Sequence, residues 1–98
     1  MLIHLEHKGE RLYEIQSGKI SGDVTIGRSH DCTWRAPVED KVVSSLHAKL
    51  YRKASTVFIE DLGSSNGTFW RGKRIKKRKL RPGDHVSIGA CVLAVEED

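Results

Sequence analysis

The sequence has few cysteines and no long apolar run, the features on which disulfide-rich and membrane-spanning proteins depend. It contains two cysteines and two prolines. No apolar stretch approaches the roughly 18 residues of a membrane span. The first residues, MLIHLEHKGE, lack the basic and apolar regions of a secretory leader. These absences predict a soluble, cytoplasmic protein with no membrane partner.

The histidines and cysteines do not form a metal-binding pattern. Cys32 and Cys91 are far apart in the chain and match neither zinc nor redox spacing, so we expect two buried thiols in a reducing compartment. His4 and His7 are three residues apart in a predicted strand and therefore point to opposite faces. We expect no metal and no other cofactor.

Helix patterns are nearly absent, and strand patterns fill the chain. Short runs of β-branched and aromatic residues alternate with Gly, Ser, Asn and Asp, which is typical of strands joined by turns. Nine strands are predicted, at residues 2–6, 11–16, 24–27, 47–52, 56–61, 68–70, 73–75, 86–88 and 91–95. The length suits one domain, residues 1–98, with one modest core.

Apolar residues alternate with polar ones along several of these strands. Val24 and Ile26 flank Thr25, for example, which gives the strand an inward and an outward face. We therefore predict an all-β fold, a two-sheet β-sandwich of mostly antiparallel strands with binding loops at one end. Residues 29–43 show no strand pattern and are expected to form a long surface loop.

Two stretches carry more polar side chains than a strand or a tight turn needs. In VVSSLHAKLY, residues 42–51, two hydroxyls and an imidazole interrupt an apolar run. In DLGSSNGTF, residues 61–69, a loop holds two serines and an asparagine. A phosphorylated side chain brings about −1.5 to −2 charge and several acceptor oxygens, so its receptor needs a fixed cation and short donors. Both stretches are predicted to face one phosphate.

Four ordered stretches, TIGRSHDC, VVSSLHAKL, FIEDLGSSNGTFWRGKRI and LRPGDHVSIG, give the chain a family resemblance. From about residue 20 to the C-terminus it resembles the forkhead-associated (FHA) family, which reads phosphothreonine through Gly-Arg, Ser-x-x-His and Asn-Gly. The matching residues are Gly27 with Arg28, Ser44 with His47, and Asn66 with Gly67. The resemblance implies an interaction module, not an enzyme, whose partner is a phosphothreonine-containing substrate of a Ser/Thr kinase. We expect the chain to be a monomer.

The resemblance also assigns a role to each motif residue. It implies that Arg28 and Ser44 bind the phosphate, that Asn66 grips the peptide main chain and that Ser65 adds a hydroxyl contact. His47 is implied to tie the binding loops together as a scaffold residue. Side-chain chemistry agrees, because a guanidinium stays charged and can donate two parallel hydrogen bonds.

Two glycines and one further serine complete the predicted site. Gly27 removes a Cβ so that backbone can approach closely, and Gly67 lets its turn take a positive φ. The residue after the motif serine is often Arg or Lys in the family, and here it is Ser45. Ser45 can still donate its hydroxyl, but a charge-assisted bond of about 1.5 to 3 kcal/mol is missing. Three side chains are candidate replacements: Lys41, Arg52 and His30.

An enzyme is the less favoured class. As a general base for Ser44, His47 would need a third orienting group and an oxyanion site, and the sequence specifies neither. GSSNGT resembles a phosphate-binding loop, but Thr68 stands where a nucleotide-binding loop needs Lys, and a strand follows it. No catalytic residue is expected.

Residues 71–81, RGKRIKKRKLR, concentrate the positive charge. They carry eight Lys or Arg and no acid, whereas the rest of the chain has nine basic and thirteen acidic residues. Three interpretations stay open: cations that protect an exposed sheet edge beside a hairpin, an attraction for acidic phosphopeptides, and binding of DNA or RNA. Nucleic-acid binding through this segment is the alternative function.

Overall fold

A computed structural model describes residues 1–97 of the chain. These residues form eleven strands and one short 3-10 helix, Ser17–Lys19. The strands are β1 Leu2–His7, β2 Glu10–Gln16, β3 Val24–Gly27, β4 Trp34–Arg35, β5 Ala48–Lys53, β6 Thr56–Asp61, β7 Thr68–Trp70, β8 Lys73–Ile75, β9 Lys77–Lys79, β10 His85–Ile88 and β11 Cys91–Glu96. All nine predicted strands are confirmed, and none of their bounds moves by more than one residue.

The strands form two sheets around one core. The six-stranded sheet has the order β2-β1-β11-β10-β7-β8, and the five-stranded sheet has the order β4-β3-β5-β6-β9. Neighbouring strands are antiparallel except β3 and β4, which are parallel. Ile3 and Leu93 of the first sheet share a fully buried cluster with Ile26 and Leu50 of the second. The predicted β-sandwich is confirmed.

The segment at residues 29–43 is not the uninterrupted surface loop that was expected. Within it, β4 pairs with the end of β3, and Trp34 is buried with its ring stacked on Tyr13 at a centroid distance of 5.7 Å. Ala36 and Val43 are buried as well. The segment is a packed connection, because its apolar side chains reach the core.

The segment at residues 71–81 contains a strand that was not predicted. β9 pairs with β6 and is the end strand of its sheet, as β8 is of the other. The predicted hairpin is confirmed, since β7 and β8 pair across Arg71 and Gly72, both with positive φ. The basic segment therefore runs along two exposed sheet edges, where cations oppose edge-to-edge aggregation.

The two thiols differ in burial, which corrects the expectation of two buried cysteines. Cys91 is fully buried, and burial raises its pKa to about 11. Cys32 is half-buried instead, and its Sγ donates to the carbonyl oxygen of Ser45 at 3.3 Å. Both are free thiols.

The histidines near the N-terminus pair with carboxylates. His4 Nε2 lies 3.1 Å from Glu6, and His7 Nε2 lies 3.6 Å from Asp40. Across residues 1–97 no group of three or more His, Cys, Asp or Glu is arranged to hold a metal ion. The same residues include no helix with the length and apolarity to cross a membrane.

Strand register brings three loops to one pole of the sandwich. Ala48, the first residue of β5, is paired with Ile26 near the end of β3 and with Asp61 at the end of β6. The loops that follow β3, precede β5 and follow β6 therefore begin side by side. We call this end the loop pole; at the other end of β1 and β11, Leu2 is paired with Glu96.

Candidate functional site

The end of β3 is bonded directly to the segment that precedes β5. The N–H groups of Arg28 and Ser29 donate to the carbonyl oxygens of Ser44 and Ser45 at 3.1 and 3.0 Å. A Cβ on Gly27 would lie 2.2 Å from the Ser45 carbonyl oxygen, closer than any real contact. Glycine is therefore required for an approach that sets Arg28 beside Ser44.

The guanidinium of Arg28 is anchored through one nitrogen. Its Nε donates to the carbonyl oxygen of Val43 at 2.5 Å, and the side chain is half-buried. Among residues 1–97, no carboxylate lies within 4.0 Å of the guanidinium, and its two terminal nitrogens have no acceptor. The site thus presents a fixed cation with two donors, which suits a bidentate anion.

The Ser44 hydroxyl joins two of the loops. Its Oγ accepts a hydrogen bond from the backbone N–H of Ser65 at 3.1 Å. A hydroxyl that accepts one bond keeps its own hydrogen to donate. The exposed side chains of Ser45 and Ser65 lie on the two joined segments. Four of the predicted site residues, Arg28, Ser44, Ser45 and Ser65, are therefore brought together.

Asn66 links the loop after β6 to the segment before β5. Its Nδ2 donates to the carbonyl oxygen of Val42 at 3.0 Å, and its side chain is exposed. This bond uses one of the two amide hydrogens and leaves Oδ1 as an acceptor. The side chain is oriented by the protein yet still offers a donor and an acceptor to a ligand.

His47 is fully buried beneath the loops and connects them. Its Nδ1 accepts from the backbone N–H of Ser44 at 3.0 Å. Because that nitrogen accepts, the ring proton lies on Nε2, which donates to the Gly67 carbonyl oxygen at 2.9 Å. The backbone N–H of His47 donates to the Ile26 carbonyl oxygen, and its carbonyl oxygen accepts from the Leu62 N–H. Both ring nitrogens are bonded to backbone, and neither contacts the Ser44 hydroxyl.

A buried carboxylate, which was not among the predicted site residues, shapes the loop after β6. Asp61 Oδ2 accepts from the N–H groups of Gly63 and Ser64, both at 3.0 Å. Its Oδ1 accepts from the hydroxyls of Ser64 and Thr68 at 2.5 and 2.7 Å. Ser64 Oγ in turn accepts from the Gly67 N–H at 3.0 Å. An Asp side chain that accepts from the backbone N–H two residues later forms a known turn. The sequence DLGS, residues 61–64, has the composition of such a turn.

The surroundings of Asp61 keep its carboxylate charged. Burial would raise the pKa of this carboxyl, but hydrogen bonds from Ser64, Thr68 and Gly63 outweigh burial and lower the pKa below its ordinary value. A charged acceptor strengthens each of these bonds. The loop that carries Ser65 is thereby held in one shape.

Gly67 has the positive φ that was predicted for it, at 96°. A Cβ there would also meet Arg74 Nε and the Phe69 ring, each at 2.9 Å. Arg74 stays close because its Nη2 donates to the Ser64 carbonyl oxygen at 3.2 Å. Glycine is needed at this position for both backbone conformation and space.

Of the three auxiliary cations, Arg52 is excluded from the site. Its Nε and Nη1 donate to the carbonyls of Ile20 and Ala54, near the end of β5 that is remote from the loop pole. Residue 52 lies four positions beyond Ala48, so the strand carries it away. Lys41 and His30 are exposed and belong to the loops of the site.

Three exposed apolar side chains lie on the segment that also carries Ser44. Val38, Val42 and Leu46 are 49%, 48% and 49% exposed, and they are the large apolar side chains most open to solvent in the described chain. All three belong to the connection between β4 and β5 that also carries Ser44. Apolar side chains on the same connection as an anion-binding centre suit a phosphorylated peptide better than free phosphate.

Comparison with known proteins assigns the family. The family model described as FHA domain matches residues 24–89, a range that includes every residue of the site. This chain belongs to the FHA domain family. This chain is 39% identical over 71 residues to the FHA domain-containing protein FhaB of Mycolicibacterium smegmatis. The match covers 71% of this chain and 44% of FhaB. The chain spans less than half the length of the curated relatives it matches.

Solved structures agree with this assignment. An FHA domain with phosphothreonine-dependent interactions superposes on this FHA domain with a TM-score of 0.80 and 25% identity, over 99% of this chain and 95% of that one. Mycobacterium tuberculosis EmbR, in complex with a low-affinity phosphopeptide, superposes with a TM-score of 0.77 and 26% identity, over 99% of this chain and 25% of EmbR. The shared fold extends over the whole sandwich.

Proposed function

We propose that this FHA domain binds a phosphothreonine in a partner protein and acts as an interaction module. The observation that carries the proposal is the Arg28 guanidinium, which the Val43 carbonyl anchors through Nε alone, beside the Ser44 hydroxyl. The phosphothreonine-dependent FHA domain and the phosphopeptide complex of EmbR support it by similarity.

In the proposed complex, phosphate replaces water at the end of the Arg28 side chain. The two terminal nitrogens of Arg28 donate hydrogen bonds to phosphate oxygens, and the Ser44 hydroxyl donates a third. Each bond to a charged group contributes about 1.5 to 3 kcal/mol, so Arg28 supplies the largest share. The Ser45 and Ser65 hydroxyls add weaker contacts from the two sides.

The rest of the peptide is held by groups around the phosphate. Asn66 uses its remaining amide hydrogen and Oδ1 for the peptide main chain beside the phosphothreonine. Val42 and Leu46 offer apolar surface to neighbouring side chains and to the threonine methyl, whose burial contributes about 0.8 kcal/mol. Gly27, His47 and Gly67 support the loops and do not touch the ligand.

The proposed module has no catalytic step. A hydrolytic or transfer reaction at Ser44 would need a base on its hydroxyl. His47 is the nearest imidazole, and both of its nitrogens are bonded to backbone groups.

The partner is a protein phosphorylated by a Ser/Thr kinase. The free thiols of Cys32 and Cys91 are compatible with the cytoplasm, which is a reducing compartment.

A degenerate phosphothreonine peptide library, screened against the wild-type domain and Arg28→Ala, tests the proposal. We expect the library to yield a consensus peptide that binds the wild type. Its unphosphorylated twin is expected to show no binding by fluorescence anisotropy. Arg28→Ala should weaken binding roughly a hundredfold, because two charge-assisted bonds are removed.

Arg11→Ala is the matched control, since it removes an exposed guanidinium that pairs with Glu14 and Glu96 on the other sheet. Its affinity for the phosphopeptide should equal that of the wild type. Equal binding of the phosphorylated and unphosphorylated peptides would show that the domain does not recognise phosphate.

A further inference from the structure

A second surface, which does not include Arg28, lies between the two open sheet edges. β8 and β9 are the end strands of their sheets and follow one another in the chain, separated by Lys76. A cavity of about 570 Å³ opens beside them. We call it the basic trough, because six cations line it: Lys73, Arg74, Lys77, Arg78, Lys79 and Arg81.

The basic trough has far more positive charge than nearby acids neutralise. Arg78 pairs with Asp84 at 3.1 Å, and within residues 1–97 no other carboxylate lies within 4.0 Å of the six cations. Lys73, Lys79 and Arg81 are exposed. The remainder of the molecule is acidic on balance, so this field is concentrated on one side and attracts an acidic ligand.

The floor of the basic trough is fixed. Arg78 donates two hydrogen bonds to Asp84, each 3.1 Å long, and its guanidinium carbon lies 3.5 Å from the centre of the Trp70 ring. Burial would raise the pKa of Asp84, but hydrogen bonds from Arg78 and the Arg81 N–H lower it below its ordinary value. Along β9 the anchored Arg78 is flanked by Lys77, which lies opposite Glu60 and near its charge, and by Lys79, which has no carboxylate of residues 1–97 within 4.0 Å.

We propose that the basic trough binds an acidic, extended polypeptide segment, and that this binding requires no phosphate. The open edges of β8 and β9 offer backbone groups to an added strand. Side chains on one face of an extended segment repeat at roughly 6.6 Å, which is also the repeat between Lys77 and Lys79 along β9. Carboxylates at every second position of the segment therefore meet cations at the same spacing.

The contacts that the Trp70 ring already makes favour a polypeptide ligand over a nucleic acid. It is the one aromatic side chain that lines the trough within the described part of the chain. Its ring is already in contact with Arg78, and the Arg71 guanidinium carbon lies 4.8 Å from its centre. Its indole N–H donates to Asp84 at 3.3 Å. Single-stranded nucleic acids bind through aromatic faces that are open to bases, and this ring is occupied.

The test measures binding of a fluorescein-labelled, unphosphorylated peptide of about twelve residues in which Glu and Ser alternate, long enough to follow both edges. We expect Lys73→Glu with Lys79→Glu to weaken binding roughly tenfold or more at low salt, because two attractions become repulsions. Lys73→Gln with Lys79→Gln should give a smaller loss. Added salt should weaken wild-type binding through screening.

The control is Lys19→Glu with Lys53→Glu, which makes the same change in net charge at exposed positions outside the trough. It should leave binding of the acidic peptide close to wild type, and so should Arg28→Ala. Equal losses in the two charge-reversed variants, or a loss in Arg28→Ala, would overturn the proposal. Tighter binding of a DNA oligonucleotide of equal charge would overturn it in favour of a nucleic-acid surface.

Discussion

At the scale of single residues, Gly27 sets the closest contact of the loop pole. A side chain there would collide with the carbonyl oxygen and carbon of Ser45, at 2.2 and 2.8 Å, and with the Cys32 sulfur at 3.0 Å. The sulfur can move by rotation of its side chain. The carbonyl is part of the backbone that positions Ser44, so it can move only if the loop moves.

Gly27→Ala should therefore lower both stability and affinity for a phosphothreonine peptide. We expect a loss of about 1 to 3 kcal/mol in the free energy of unfolding, as for other overpacked sites, measured by denaturant titration. Peptide affinity should fall as well, because Ser44 moves relative to Arg28. Gly18→Ala is the control, since a Cβ at Gly18 meets no atom within 4 Å and Gly18 has no positive φ. An unfolding curve of Gly27→Ala that matches the control would contradict the steric argument.

The residues that were predictable are those with distinctive chemistry in short motifs. Arg28, Ser44 and Asn66 were marked by the resemblance, and the structure brings them to one pole. The turn pattern around Asp61 could be read in the sequence, but its burial and the four hydrogen bonds that it accepts could not. Arg52 was misplaced because a cation near a motif in sequence is carried away by an extended strand, at about 3.3 Å per residue.

At the scale of elements, the loop after β6 depends on one charged acceptor group. Asp61→Asn keeps the size of this side chain but replaces one oxygen with a donor. In the wild type, hydrogen-bond donors approach both carboxylate oxygens of Asp61. In either orientation, the NH2 group of the asparagine would therefore face donors instead of acceptors. We expect a loss of about 1.5 to 3 kcal/mol in unfolding free energy, together with weaker binding of a phosphothreonine peptide.

Denaturant titration and fluorescence anisotropy measure these two effects. Asp31→Asn is the control, because Asp31 is exposed on another loop of the same pole. If Asp61→Asn loses stability but keeps full affinity, the carboxylate supports the fold without ordering the loop that carries Ser65.

The two strands that sequence patterns did not predict owe their existence to distant partners. β4 has two residues and gains its pairing from β3, with Trp34 buried beside Tyr13. Every residue of β9 is a cation, a composition that strand propensity disfavours. It extends because it pairs with β6 and is followed by the buried Leu80. Such contacts cannot be derived from local sequence.

At the scale of the whole molecule, two buried carboxylates set the response to acid. The pKa values of Asp61 and Asp84 are lowered in the folded protein, whereas in the unfolded chain they return to about 3.9. A lowered pKa stabilises the folded state above the unfolded value, and this contribution disappears as pH falls through the folded value. The free energy of unfolding should therefore decline below about pH 4.

Phosphothreonine binding should decline at a higher pH than stability. The second pKa of a phosphate ester is about 6, so the ligand loses charge between about pH 7 and pH 5. Anisotropy titrations and thermal unfolding over the same pH series separate the two transitions. Loss of binding only where the domain unfolds would indicate that the charge of the phosphate does not contribute to affinity.

Leu2 and Glu96 are neighbours at the end of the central strand pair that is remote from the recognition loops. The six residues of β1 run for roughly 17 Å from this end toward the loops. Any polypeptide fused before Leu2 or after Glu96 would thus leave from the side that faces away from a captured phosphoprotein. Tethered enzymes, anchors or repeats could be attached there without shielding the loops, and length and stiffness of the tether would determine which neighbours the captured protein meets.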